Sequence, residues 1–278
     1  MSACSLRLRS FASGIVSSRI RAPAVVLAVL VLAGATLCPL QVLLRREGEL
    51  PENLAVTGNS RLGAARWIDV AIPGGLRALA ADGLWLKLYV AWAARDLPRS
   101  DMLIRLVTMV DDRPLDFWIN GARIIAYDMS EWRLSSLDGG RIPAEVRRRI
   151  VEEQACAGLR HLEAAFASHP DNAAIWVEMG NIQLYRRGDL GLAAGCYRHA
   201  AEAPDAPYFA ARIYGELLRR LGRDQDAYDW LRRVHARLPV DDPAAMSSLV
   251  LRRIRDLERR LKVAVQEQYM PAEDRPRK

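Results

Sequence analysis

The chain has 278 residues, of which 51% are hydrophobic and 26% are charged, so it is long enough for one folded domain and an additional segment. Its net charge of +7 is concentrated at one end, because residues 1–46 contain six arginines and no acidic side chain while the remainder is close to neutral. A domain that binds nucleic acid is expected to be net basic, so this class of partner is disfavoured.

The N-terminal region predicts a membrane anchor. Residues 1–21 form a basic leader, and residues 22–44 carry no charged side chain. About 20 apolar residues are needed to cross the hydrocarbon core of a bilayer as a helix. Four arginines precede this run and two follow it, so the positive-inside rule predicts a cytoplasmic N-terminus. The C-terminal domain would then be extracytoplasmic, or periplasmic in a bacterium with two membranes.

Two other interpretations of the apolar run remain open. A cleaved signal peptide would end at the small residues Ala33–Ala35, although the apolar run continues beyond them. A lipoprotein signal would use Cys38, although Leu37 stands where a small residue is expected. An uncleaved single-pass anchor in the cytoplasmic membrane fits the whole run best.

Residues 45–74 have the composition of a linker, and a helix is predicted from the following residues to about Arg95. Its apolar residues recur at helical spacing, which predicts one buried face: Leu76, Leu79, Leu84, Trp85, Leu88, Tyr89 and Trp92. Three charged side chains within it disfavour a second membrane span. An alternative is that Trp67, Trp85 and Trp92 contact the membrane surface.

The next helices are predicted from caps and prolines. Ser100 is a candidate N-cap for a helix over Met102–Val110, and a second helix is predicted over Leu115–Met129. A loop is predicted over Ser130–Ile142. A long helix then begins at Pro143, which suits a first-turn position, and runs to about residue 168.

Two consecutive segments, 171–205 and 206–240, have the same pattern of residues. Four of five matched positions are 34 residues apart, while Gly180 and Gly215 are one residue further apart. A fixed period of this length indicates a helical solenoid. In each segment a small residue is followed by a glycine turn. Further small and bulky residues then recur at helical spacing.

This pattern resembles the tetratricopeptide repeat (TPR) family. The resemblance implies an all-α solenoid over residues 75–265 with about four helix pairs, at 76–114, 115–170, 171–205 and 206–240. A capping helix with a polar outer face is expected from Ala244 to about Val265, followed by a disordered tail over residues 266–278. The segments Gly74–Arg77 and Ala81–Leu86 also resemble the Gly-Gly-x-Arg…Ala-Asp-x-Leu-Trp-Leu signature of bacterial single-pass, membrane-anchored TPR proteins.

In the TPR family, the first helix of each pair lines a concave groove that binds a peptide or protein partner. Transferred by position, this implies six groove residues in this chain: Trp118, Asn181, Tyr185, Arg212, Glu216 and Arg219. The two groove arginines are candidates for pairing with a carboxylate of the partner.

The residues give no indication of catalysis, a cofactor or a metal site. The four histidines do not have a metal-ligand spacing, and the four cysteines lack CxxC spacing. A disulfide between Cys156 and Cys196 is possible in an oxidising compartment, although two buried free thiols are preferred. We therefore expect a non-enzymatic, membrane-anchored adaptor or scaffold. The alternative is a structural subunit of a cell-envelope complex for secretion, pilus assembly or polymer export.

The predicted topology can be tested by protease accessibility. If residues 22–44 anchor the chain with its N-terminus in the cytoplasm, protease added to cells with an opened outer envelope should degrade the C-terminal domain. Lysis of the cytoplasmic membrane should not be required. Protection until that membrane is lysed would contradict the predicted orientation.

Overall fold

The computed structural model describes residues 74–137, 142–239 and 241–271. The predicted anchor and the predicted linker up to residue 73 therefore lie outside the described residues, whereas Gly74 already belongs to the first helix. Within the described ranges, no helix has the length and apolar character of a membrane span. The chain divides into two compact units, Met1–Ala78 and Leu79–Lys278. The second unit contains every helix described below except the first turn of the first helix.

The described residues form helices and contain no β-strand, as the all-α prediction requires. The helices are α1 (Gly74–Ala93), α2 (Leu97–Val110), α3 (Leu115–Arg123), α4 (Met129–Ser136), α5 (Ala144–Ala165), α6 (Ala173–Ile182), α7 (Leu190–Glu202), α8 (Tyr208–Arg220), α9 (Asp224–His235) and α10 (Ser247–Leu261). A π-helical turn joins α3 to α4 (Ile124–Asp128), and a second π-helical turn follows α6 (Gln183–Arg187).

The helices pack in chain order, which is consistent with a TPR-like solenoid. From α5 to α10, each helix contacts the next one along the chain, and α5 also contacts α3 and the first π-turn. Short loops between helices that pack together produce helical hairpins. The predicted segment 171–205 contains the pair α6 and α7, and the segment 206–240 contains the pair α8 and α9.

Close packing within a pair depends on one small residue. A Cβ atom at Gly180 of α6 would lie 2.9 Å from the ring of Tyr197 on α7. At the equivalent place in the next pair, a Cβ atom at Gly215 would lie 2.7 Å from the side chain of Leu231. Both distances are too short for a real contact, so only glycine allows the helices to approach this closely. In each of these pairs a small residue thus packs against a bulky one.

An aromatic residue fills the space between neighbouring pairs. The Trp176 ring on α6 lies 4.8 Å from the Phe166 ring, just after α5, and 4.5 Å from the stacked His199 ring on α7. Asn172 begins α6 by accepting hydrogen bonds from the backbone N–H groups of Ala174 and Ile175. Aromatic packing and capping thus fix where α6 begins and how it faces its neighbours.

Several predicted boundaries differ from the structure. Helix α2 begins at Leu97 because Asp96 accepts a hydrogen bond from the Arg99 backbone N–H, and Ser100 is buried inside the helix and is not its cap. The predicted loop over Ser130–Ile142 is wrong in its first half, because α4 continues to Ser136. The Ser130 hydroxyl donates to backbone carbonyls of the first π-turn and so supports a helical path.

The predicted buried face of α1 is only partly correct. Leu84 and Leu88 are buried, whereas Leu79 and Tyr89 are exposed. The Trp92 indole N–H is also at the surface, where it donates to a carboxylate oxygen of Asp128 at 2.8 Å. Because apolar residues surround α1 on several sides, helical spacing alone does not identify which of them are buried.

The C-terminal end is ordered further than predicted. The capping helix α10 follows a short 3₁₀ turn and ends at Leu261, but a second 3₁₀ turn at Val265–Glu267 continues the chain. Tyr269 is buried against α9 and α10, its backbone N–H donates to Glu258 at 2.6 Å, and its hydroxyl hydrogen-bonds to His235. These contacts hold Tyr269 in place, so the prediction of disorder over residues 266–278 is wrong for the beginning of this tail.

The glycine contact gives a stability prediction with an internal control. Gly180→Ala should destabilise the fold by about 1–3 kcal/mol, because the added methyl group forces the buried Tyr197 ring to move. Gly195→Ala on α7 should instead stabilise it by about 0.5–1 kcal/mol, because the new Cβ meets no atom and alanine favours helix. Urea unfolding followed by circular dichroism measures both. Equal effects at the two positions would contradict this packing.

Candidate functional site

An extra residue in one repeat changes the surface of the solenoid. Gly180 and Gly188 are one residue further apart than their counterparts Gly215 and Gly222. The second π-turn, Gln183–Arg187, lies between the first two glycines, whereas α8 is a regular α-helix at the equivalent place. A π-turn has one more residue per turn than an α-helix, so it accommodates the insertion without moving Gly180 away from its partner.

The first π-turn lies at the same place in the preceding repeat. Ile124 begins this turn three residues after Gly121, as Gln183 begins the second turn three residues after Gly180. Both glycines lie at buried helix contacts. Single π-turns inside α-helices are frequent at functional sites, and here two of them lie side by side in consecutive pairs.

A cavity of about 360 Å³ opens between the two π-turns, which we call the π-turn pocket. Helix α3 and the first π-turn supply one wall, and α6 and the second π-turn supply the other. Its lining residues are Arg123, Tyr127, Asp128, Glu178, Asn181 and Tyr185. The pocket therefore combines two tyrosines, one cation, two carboxylates and an amide.

A buried carboxylate organises the pocket. The Glu178 side chain is only 3% exposed, and its Oε2 atom accepts hydrogen bonds from Arg123 at 2.8 Å and from Asn181 at 3.1 Å. The Asn181 oxygen in turn accepts a 2.6 Å hydrogen bond from the Tyr197 hydroxyl. The hydrogen bond that Arg123 donates to Glu178 raises the pKa of the Arg123 guanidinium. This network connects the two walls, because Arg123 belongs to α3 and Glu178 to α6.

The tyrosines differ in their surroundings. Tyr185 is 68% exposed at the mouth of the pocket. Tyr127 is half-buried, and the Arg186 guanidinium lies over its ring at 5.2 Å from the centroid. Burial is the main reason that the pKa of Tyr127 is raised to about 12, so its phenol is neutral at physiological pH. Tyr185 thus offers open aromatic surface, whereas Tyr127 is held in place.

The six groove residues predicted from the sequence are distributed over three environments. Asn181 and Tyr185 line the π-turn pocket. Trp118 is 8% exposed in the core, where its indole N–H donates to the Asp112 carbonyl, so it does not lie on an open surface. Arg123, which the prediction missed, takes part in the pocket instead.

The other three predicted groove residues lie beside the capping helix. Arg212 donates to the carbonyls of Ala244 and Ala245 in the 3₁₀ turn before α10. Glu216 pairs with Arg219 and also lies 3.4 Å from Arg253 of α10. These residues line a second cavity of about 430 Å³ together with residues of α9 and α10. Their charges are engaged within the chain, because they help to hold the cap.

Comparisons with known proteins give only distant matches. No family model matches the chain, and no curated protein matches it. Two solved structures of MamA match it with a TM-score of 0.31: one titled MamA MSR-1 C2, 15% identical, and one of a MamA mutant, 18% identical. Each match covers 66% of this chain, and they cover 99% and 95% of the respective MamA chains. At this similarity they carry no argument about function.

The buried carboxylate gives a second stability prediction. Arg123→Met should destabilise the fold by about 2 kcal/mol, because it leaves Glu178 buried without its cation. Adding Glu178→Gln should recover part of this loss, since the remaining group is then neutral. Arg198→Met should cost less than about 0.5 kcal/mol, because Arg198 and its partner Glu202 are both exposed. Thermal and urea unfolding distinguish these outcomes. Similar losses for the two arginine variants would contradict the role given to Glu178.

Proposed function

We propose that this protein is a non-enzymatic TPR-like adaptor that binds a segment of a protein partner at the π-turn pocket. The observation that carries the proposal is the pair of π-turns in the same register of consecutive repeats, with a cavity between them and Tyr185 exposed at its mouth. Both walls belong to the first helices of their pairs.

The size and chemistry of the pocket favour a side chain of a peptide. Small-molecule sites usually enclose about 300–1,000 Å³, and this cavity is at the lower end of that range and open to the surface. Exposed tyrosine is frequently an anchor in protein interfaces. The half-exposed guanidinium of Arg123 and the carboxylate of Asp128 provide hydrogen-bonding groups of opposite charge beside it.

The polar groups in the pocket are arranged for binding more than for proton transfer. Glu178 accepts hydrogen bonds from Arg123 and Asn181, and Asp128 accepts one from Trp92. The raised pKa of Tyr127 keeps its phenol protonated at neutral pH. A general base needs a pKa near the working pH, and the pKa of Tyr127 lies well above it.

The membrane part of the proposal depends on the sequence. The uncharged run Ala22–Leu44 supports a single-pass anchor in the cytoplasmic membrane, with the helical domain on the outer side. Such an anchor would raise the local concentration of the pocket near partners in the same membrane. We propose no cofactor for this activity, and the partner would be a protein and not a nucleic acid.

Site-specific photo-crosslinking tests the pocket directly. With p-benzoylphenylalanine at Tyr185, irradiation of cells producing the protein should give a discrete adduct with a partner. p-Benzoylphenylalanine in place of Leu192 should give no such adduct, although Leu192 is also exposed, on the second helix of the pair. Arg123→Ala should reduce the Tyr185 adduct at least about fivefold, by removing a pocket hydrogen-bond donor.

Two results would contradict the proposed pocket. One is the same adducts at Tyr185 and Leu192, because that would indicate contact without recognition. The other is the absence of any adduct at Tyr185 when the protein is folded and correctly localised. Circular dichroism of the purified variants checks folding.

A further inference from the structure

Helix α1 has a second apolar face that the described part of the chain does not bury. Its buried residues include Leu84 and Leu88, whereas Leu79, Leu86 and Val90 are 66%, 66% and 67% exposed. These three lie on one side of the helix together with exposed Gly83 and Ala93. We call this set the outer strip: Leu79, Gly83, Leu86, Val90 and Ala93.

The spacing of the outer strip is that of a coiled-coil seam. Its members follow one another at intervals of four, three, four and three residues. This is the alternation of the a and d positions of a heptad repeat, with Leu79, Leu86 and Ala93 at d and Gly83 and Val90 at a. A seam of this kind is narrow and suits the face of another helix better than a broad surface.

Gly83 provides an independent indication of a partner. It lies inside a 20-residue helix, where glycine is unfavourable relative to alanine. A Cβ atom built at Gly83 meets no atom within 4 Å, so packing within the chain does not require glycine there. Its φ angle is not positive either, in contrast to Gly188 and Gly222. A second helix backbone that approaches closely would explain the missing side chain.

The charges beside the strip specify the orientation of that second helix. Asp82 occupies the g position and Lys87 the e position of the same heptad frame, and both are exposed. In a parallel pair, a g residue lies beside the partner's e residue five positions later, so Asp82 of each copy would face Lys87 of the other. An antiparallel pair brings g beside g and e beside e, which does not bring these opposite charges together.

We infer that α1 pairs in parallel with α1 of a second copy of this chain through the outer strip. A lipid surface fits less well, because helices that lie on membranes usually carry several Lys or Arg beside the apolar face. Here one acid and one base flank a strip that contains a central glycine. Pairing of α1 is independent of the proposed partner at the π-turn pocket, since the strip and the pocket share no residue.

Disulfide crosslinking of the full-length chain in membranes tests both the pairing and its direction. Single cysteines are introduced as Leu79→Cys or Ala93→Cys after the four native cysteines are replaced by alanine. The two positions are four helical turns apart, about 21 Å. In a parallel pair each position faces itself, so both variants should form disulfide-linked dimers on mild oxidation, at a yield at least about tenfold above a Leu192→Cys control.

A parallel pair is overturned if neither the Leu79→Cys nor the Ala93→Cys variant forms a dimer. It is also overturned if a central Leu86→Cys variant is the only one that forms a dimer, because this indicates an antiparallel pair. A blue shift of a dye at Leu79→Cys on adding phosphatidylcholine–phosphatidylglycerol vesicles, without any dimer, would also overturn it in favour of a lipid surface.

Exchange of charges provides the second readout. Lys87→Glu should reduce the Ala93→Cys dimer yield about tenfold, because it places two acids together at both symmetric contacts. Asp82→Lys combined with Lys87→Glu should restore the yield, since the pair is re-formed with reversed signs. An unaffected yield in the single variant, or no recovery in the double variant, would overturn the proposed register. Both side chains are exposed, so neither change should affect folding, which circular dichroism verifies.

Discussion

The contact between a glycine on the first helix of a pair and a bulky side chain on the second is the constraint on which the described structure depends. Gly180 against Tyr197, and Gly215 against Leu231, allow the backbone of the first helix to pack directly on a bulky side chain of the second. Neither helix could bury its apolar side alone, so each pair is stable only in a stack. The same contact buries these sides in the stack, and no residue of α6 itself is exposed.

The second π-turn follows from this constraint. One residue is added between Gly180 and Gly188. The chain can accommodate it only by losing the glycine contact or by losing the regular α-helical hydrogen bonding. The contact is preserved and the helix widens, because the loss of regular hydrogen bonding in one turn is smaller than the loss of a packed interface. Tyr185 is exposed in the widened turn, while Glu178 is buried on α6 in the same wall of the pocket. The local irregularity thus lines the π-turn pocket, whereas the cavity beside the regular helix α8 is lined by charged residues that pair within the chain.

The fold could largely be predicted from the sequence, because the period of 34 residues and its small residues express the packing between helices directly. The site could be predicted only in part. Transfer by position included Tyr185, which is exposed at the pocket, but it also assigned Trp118 to the groove although this residue is buried in the core. Arg123 was missed because its partner Glu178 lies 55 residues away. Likewise, the sequence pattern of α1 indicated apolar residues but not that they form two opposite faces.

Deletion of Leu184 tests most directly whether the second π-turn forms the pocket. The deletion restores the spacing of the next repeat and should convert the second π-turn into regular α-helix. We expect the melting temperature to change by only a few degrees, while the dissociation constant for the partner captured at Tyr185 increases at least about tenfold. Unchanged affinity in a variant shown to have lost the π-turn would contradict the account.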